Sequence, residues 1–228
     1  MKENLLDVMQ GLLDEGVYDP SIFKAFFLAG GPGSGKSYVV RRTTGGFGMK
    51  TINPDNAFEK ILRDQGKELD MRKMDPTERD KLRLRAKDLT NKQERLYLAG
   101  RLGLILDGTG KDFDKINRIK KNLDTMGYDS YMIFVNTSLE VALERNERRA
   151  RKLPEDMVKD MWTEVQRNIG KFQGLFGTSN LVIVDNNKPD EDIMTMAQKR
   201  IRQLIKQPIR NGRAKQWIQR ELDKRRKK

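Results

Sequence analysis

Gly30-Gly31-Pro32-Gly33-Ser34-Gly35-Lys36-Ser37 matches the pattern G-x-x-x-x-G-K-[ST]. The chemistry of that spacing is phosphate binding. Backbone N–H groups of Gly31, Gly33, Ser34 and Gly35 can converge on an anion, and a helix opening after them adds its partial positive charge. Lys36 is placed to reach the β- and γ-phosphates of ATP, and the Ser37 hydroxyl to ligate Mg²⁺. The alternative is a chance glycine- and serine-rich turn, and the flanks argue against it. Ala25 to Ala29 is an apolar run of buried-strand length, and Tyr38 to Arg42 continues as a helix until Gly45-Gly46.

Three further groups can complete a phosphoryl-transfer site. Asp55, in Ile52-Asn53-Pro54-Asp55-Asn56, projects a carboxylate just beyond a short strand. It is either a general base or the N-cap of the helix that follows. Asp107 ends an apolar strand before Gly108-Thr109-Gly110. It would hold a magnesium-bound water or, with Thr109, a substrate hydroxyl; a purely structural role at the strand end is the other reading. In Glu144 to Lys152, Arg145 and Arg149 are i, i+4 neighbours on a predicted helix and would face the γ-phosphate together. Arg148 and Arg151 would then point elsewhere, in Glu/Arg pairs on a solvated face.

The elements that must position these residues are legible in the periodicity. Strands are predicted at 25–29, 50–53, 103–107, 131–135 and 181–185, alternating with helices. Asp75-Pro76-Thr77-Glu78 starts a Lys- and Arg-rich helix running to about Ala99, which reads equally as a substrate-binding insertion or a solvated outer helix. Thr137-Ser138-Leu139-Glu140 reads as a capping box opening the helix that carries Arg145 to Arg151. Pro154 opens another, with Met157, Met161, Trp162, Val165, Ile169 and Phe172 as a core stripe. Asp190 to Lys206 forms the helix after the last strand. The order implies an α/β P-loop NTPase fold, a parallel sheet with helices on both faces and a site at the strands' carboxyl ends. The predicted organisation is an N-terminal helix in 1–20, a P-loop kinase domain in 21–206 with a helical insertion at 66–99, and a basic C-terminal helix or tail in 207–228.

Composition narrows the chemistry. The 228 residues include no His and no Cys, which removes Ser–His hydrolysis, thiol nucleophiles, disulfides and His or Cys metal clusters. No apolar run approaches the length of a membrane span, and the Met1-Lys2-Glu3 start is unlike a signal peptide, so a cytoplasmic protein is expected (host cytoplasm if the chain is phage-encoded). Of the net charge of +13, residues 206–228 carry +8, from ten cations and two carboxylates, which leaves +5 for 1–205. That segment reads as an arm for nucleic acid or another polyanion, or as a solvated helix end with a frayed tail. Leu5, Leu6, Val8, Met9, Leu12 and Leu13 predict an N-terminal helix packed beside the nucleotide core or binding a protein partner.

Taken together, Gly-Gly-Pro-Gly-Ser-Gly-Lys-Ser, Ile-Asn-Pro-Asp and the strand ending Asp-Gly-Thr-Gly-Lys resemble the zeta toxin family of P-loop kinases, over roughly residues 24–187. With Arg-Asn-x-x-Arg, the same series also resembles the 5′-polynucleotide kinase domain of T-even-type phages. The resemblance implies that Asp55 is the base toward the acceptor hydroxyl, that Asp107 holds substrate, and that Arg149, with Arg145, forms the lid. The polynucleotide kinases carry an arginine three residues after the base, where this chain has Phe58. Three expectations follow: a kinase for a nucleotide sugar or similar small acceptor, a polynucleotide 5′-hydroxyl kinase, or an ATP-switched assembly protein.

Overall fold

The apolar run before the glycine loop forms strand β1, Lys24–Ala29, buried along its whole length as a central parallel strand must be. A computed structural model describes residues 17–68, 74–149 and 152–227. The predicted N-terminal helix at Asn4 to Asp14 lies outside the described residues. The other strands are β2 (Lys50–Ile52), β3 (Leu104–Asp107), β4 (Asp129–Asn136) and β5 (Leu181–Asp185). They form one sheet in the order β2-β3-β1-β4-β5, every pair parallel. All five strands therefore end at the same edge, where the glycine loop and both candidate carboxylates lie.

Helices connect the strands: α1 (Lys36–Thr44), α2 (Pro54–Asp64), α3 (Pro76–Ala99), α4 (Phe113–Met126), α5 (Leu139–Glu147), α6 (Glu155–Arg167), α7 (Ile169–Phe176), α8 (Glu191–Lys206) and α9 (Gly212–Arg226). Alternation along β1 splits the core into two layers. Ala25, Phe27 and Ala29 pack with Leu123 of α4, Phe172 and Phe176 of α7 and Ala214 of α9. Phe26 and Leu28 pack with Val39 of α1 and Met194, Ile201 and Leu204 of α8. Helices on both faces are thus observed. A third cluster joins Phe58, Ile61 and Leu62 of α2 to Leu82 and Ala86 of α3, which fixes α3 beside the sheet edge. No described helix is long and apolar enough to cross a membrane.

Three expected elements take a different form. The helix after β4 starts at Ser138, whose hydroxyl accepts from Val141 N, so the predicted capping box is shifted by one residue. It stops at Glu147, because Asn146 turns inward and clasps the backbone of Leu153 through both its amide groups (2.8 and 3.1 Å). Arg149 therefore sits in the turn beyond α5, not one helical turn from Arg145. The stripe after Pro154 is broken at Asn168 into α6 and α7, and Met157 is exposed.

The basic segment is helical rather than frayed over its described residues. Residues 212–226 form α9, whose Ala214 is fully buried where it meets Gly127, and whose Trp217 stands edge-on to Phe23 at 5.5 Å. The Arg213 guanidinium donates to Thr125 O at 2.7 Å. Thr125, Gly127 and Phe23 all precede strands β4 and β1, so α9 docks at the edge opposite the glycine loop. At about 3.3 Å per residue, the six residues of β1 hold those edges roughly 20 Å apart.

Candidate active site

The glycine loop leaves β1 and closes on the N-terminus of α1. Two of its glycines cannot be replaced by larger residues. Gly33 has φ +78°, and a Cβ there would lie 2.4 Å from Ala142 O; Gly35 has φ +81°, and a Cβ there would lie 2.4 Å from the Asn186 amide nitrogen. That amide donates to Ser34 O at 2.7 Å and pins the loop to the end of β5. On the other flank Gly30 N donates to Thr109 O at 2.9 Å, tying the loop to the segment after β3. Lys36 curls back over the loop and donates to Gly30 O (2.7 Å) and Gly31 O (3.3 Å).

Lys36 is the electrostatic centre of the site. Burial pushes its pKa down from 10.5 to about 8; Arg149 pushes the same way, while Asp107 and Asp55 favour its charge. Burial raises Asp107, against the pull of Lys36 and of a hydrogen bond from Asn53. Asn53 Nδ2 lies 2.6 Å from Asp107 Oδ2, and Asn53 Oδ1 accepts from Asp55 N at 2.8 Å. Asn53 is thus the N-cap of α2, with Pro54 at its first position. Of the two readings of Asp55, the cap is excluded, and its carboxylate stands in the first turn of α2 at the sheet edge.

Arg145 reaches the loop from α5. Its Nη1 is 3.8 Å from the place of a Gly35 Cβ, and its Nη2 donates to Asn187 O at 3.4 Å. Arg145 Nη1 and Ser34 Oγ are both buried and without a hydrogen-bond partner among the described residues. Two unsatisfied donors beside one glycine loop are a costly arrangement unless an anion accepts from them. Arg149, in the turn held by Asn146, completes the positive side, whereas Arg148 turns away to Glu144. Arg151 lies outside the described residues.

Two cavities open at this edge. A cleft of about 350 Å³ between α1 and β2 is bordered by Ser37 and Asp107. A larger cavity of about 700 Å³ lies between α2, α3 and α4, and Asp55, Asp107 and Thr109 are on its wall. Arg83, Lys87 and Glu94 of α3 face it, so the Lys- and Arg-rich helix is a wall of this cavity as well as a solvated surface. Lys111, in the loop before α4, and Lys115, in its first turn, add charge, and the Arg83 guanidinium lies 5.7 Å over the Phe58 ring.

Several residues that hold the site have no role assigned from the sequence. Asn53, Asn146 and Asn186 act through amide contacts between distant segments. Asn168 does the same, donating to Gly110 O (3.0 Å) and Lys111 O (2.8 Å). Trp162, expected in the core, lies against Gly31 with its indole N–H on Thr137 O at 2.8 Å. The sequence marks Asn53 by its place in Ile-Asn-Pro-Asp, and Asn186 only as an Asn next to a strand end.

The glycine loop, the parallel sheet order and the carboxylates at its edge define a P-loop NTPase-like fold. A family model described as an AAA domain matches residues 26–169, and the chain belongs to that family. Among solved structures it is similar to a gluconokinase from Sinorhizobium meliloti 1021 (19% identity, TM-score 0.50), covering 80% of this chain and 93% of that one. It is also similar to AvrRxo1-ORF1:-ORF2 with ATP (13% identity, TM-score 0.56), where the match covers 78% of this chain and 62% of that one. At these identities the likeness is one of fold. No curated protein matches the chain.

Proposed function

We propose that the chain is an ATP- and Mg²⁺-dependent phosphotransferase acting on a hydroxyl of a small acceptor, a nucleotide sugar or a similar anionic metabolite. The observation that carries this reading is the sharing of charges between loop and cavity. Lys36 of the glycine loop interacts with Asp55 and Asp107, and both carboxylates wall the 700 Å³ cavity. A donor cradle and an acceptor pocket meet there.

In this reading the triphosphate lies along Gly31 to Gly35, where Ser34 Oγ and Arg145 Nη1 find their acceptor. Lys36 leaves the loop carbonyls for the β- and γ-phosphate oxygens. Asp55 takes the proton of the acceptor hydroxyl as its oxygen bonds to the γ-phosphorus, and the bond to the β-phosphate oxygen breaks, releasing ADP. Arg145 and Arg149 stabilise the charge on the transferring group. Ser37 and Asp107, a hydroxyl and a carboxylate bordering one cleft, suit Mg²⁺, which keeps several waters and takes few protein ligands. When bound, Mg²⁺ would neutralise charge developing on the phosphates. Arg83, Lys87, Lys111 and Lys115 suit an acceptor that is itself anionic. AvrRxo1-ORF1:-ORF2, of similar fold, was solved with ATP, which agrees with the choice of donor.

A polynucleotide 5′-hydroxyl acceptor is the second reading, favoured by Arg83. Phe58 stands where the phage kinases carry arginine, and Arg83 brings a guanidinium over that ring. Incubation with γ-labelled ATP and a panel of nucleotide sugars, nucleosides and 5′-hydroxyl oligonucleotides separates the two. Label on a nucleotide sugar or related small molecule is expected. Label on oligonucleotides alone would replace the first reading by the second, and tight ATP binding without any transfer would leave a switch.

A further inference from the structure

The charge of the C-terminal segment has no part in the site above, because α9 docks about 20 Å away at the opposite edge of the sheet. Its sequence divides cleanly around the helix axis. Ala214, Trp217, Ile218, Glu221, Leu222 and Arg225 share the inward arc and are buried or half-buried. On the outward half-cylinder Lys215, Arg220, Lys224, Arg226 and Lys227 are all exposed, interleaved with Gln216, Gln219 and one carboxylate, Asp223. The two carboxylates of α9 are engaged within the helix, Glu221 with Lys224 and Asp223 with Gln219.

We infer that the outward face of α9 is a binding surface for the phosphodiester backbone of a nucleic acid, separate from the catalytic edge. A docked helix presents its cations in fixed order. At 1.5 Å per residue, Lys215 to Lys227 spans roughly 18 Å, the axial length of about five phosphates along one strand. A membrane surface suits it less, since α9 exposes no large apolar side chain that could enter the interface. Base reading is not expected either: Trp217, the one aromatic of the helix, is turned inward on Phe23. The surface would hold the protein on nucleic acid without sequence preference while leaving the site free. This inference does not rest on the kinase reading.

The test is fluorescence anisotropy with labelled 20-nucleotide single-stranded and duplex oligonucleotides of mixed sequence, at low and moderate salt. Binding by the full chain should weaken steeply with salt. The variant Lys215→Glu/Arg220→Glu/Lys227→Glu should lose at least tenfold in affinity, with a flatter salt dependence by about 0.9 per phosphate contact removed. Its ATP binding and melting temperature should stay at wild-type values, because these side chains lie on the outward face. A matched charge reversal on α3, Lys81→Glu/Arg85→Glu/Lys92→Glu, should cost less than threefold. Equal losses in the two variants would overturn the inference by assigning binding to net charge. So would wild-type protein that binds anionic vesicles or an acidic peptide but no oligonucleotide at low salt.

Discussion

Asn53 donates a 2.6 Å hydrogen bond to Asp107 and so ties the end of β2 to the end of β3. Through its other amide atom it caps α2 at Asp55 N. One side chain thereby sets the positions of both candidate carboxylates. Asn53→Ala should lose the cap, worth about 1 kcal/mol, and leave Asp107 without its donor. Asn53→Asp keeps a capping oxygen but sets a second negative charge against Asp107, which raises its pKa further. Activity of Asn53→Asp should then fail at a higher pH than wild type as the pH is lowered. A pH–rate profile of the two proteins checks this, and coincident acid limbs would contradict it.

Lys36 gives a second pH signature. Its folded pKa of about 8 is below the ordinary 10.5, so between those values the unfolded chain binds more protons than the folded one. Stability of the nucleotide-free protein should therefore rise with pH across that window on this account. A bound triphosphate favours the charged lysine, so ATP binding near pH 8.5 should take up a proton. Calorimetry in buffers of different ionisation enthalpy should show this uptake at pH 8.5, and its loss in Lys36→Arg.

The loop glycines test the geometry without chemistry. Gly35→Ala forces a Cβ onto the Asn186 amide in a left-handed backbone conformation. It should lower stability by about 1–3 kcal/mol and abolish ATP binding. Gly46 has a similar φ of +84° and nothing within 4 Å, so Gly46→Ala should cost stability alone. Thermal melting and equilibrium ATP binding of the two variants separate strain from loss of the site.

Arg145, Arg148 and Arg149 should behave differently. Arg145→Ala removes a half-buried guanidinium beside Gly35 and should weaken ATP binding and turnover together. Arg149→Ala should lower kcat by about a hundredfold with a smaller effect on ATP affinity. Arg148, paired with Glu144, should be replaceable with less than a threefold change in either quantity. Steady-state kinetics of the three variants decides, and an Arg148 effect as large as that of Arg149 would contradict the assignment.

What the sequence reveals and what it hides have physical causes. The buried strands and the glycine loop are local patterns, and the described structure places them as their spacing predicts. The end of α5 is not local. Arg and Glu are good helix formers, and the helix stops because Asn146 captures the backbone at Leu153, a contact between segments. The same holds for Asn186 on Ser34 O and for Trp162, whose apolar spacing suits a core although its ring meets Gly31. Charge dominates the composition of α9 and conceals the stripe of Ala214, Trp217, Ile218 and Leu222 that docks it. In the sequence Asp55 suits both base and cap, and only the geometry of Asn53 decides against the cap.

The decisive measurement is phosphoryl transfer by Asp55→Asn. With γ-labelled ATP and an acceptor that the wild-type protein labels, the variant should bind ATP within a few-fold of wild type and lose about a hundredfold or more in the transfer rate, as expected for removal of a general base. Transfer at the wild-type rate by Asp55→Asn, with ATP binding intact, would contradict the account.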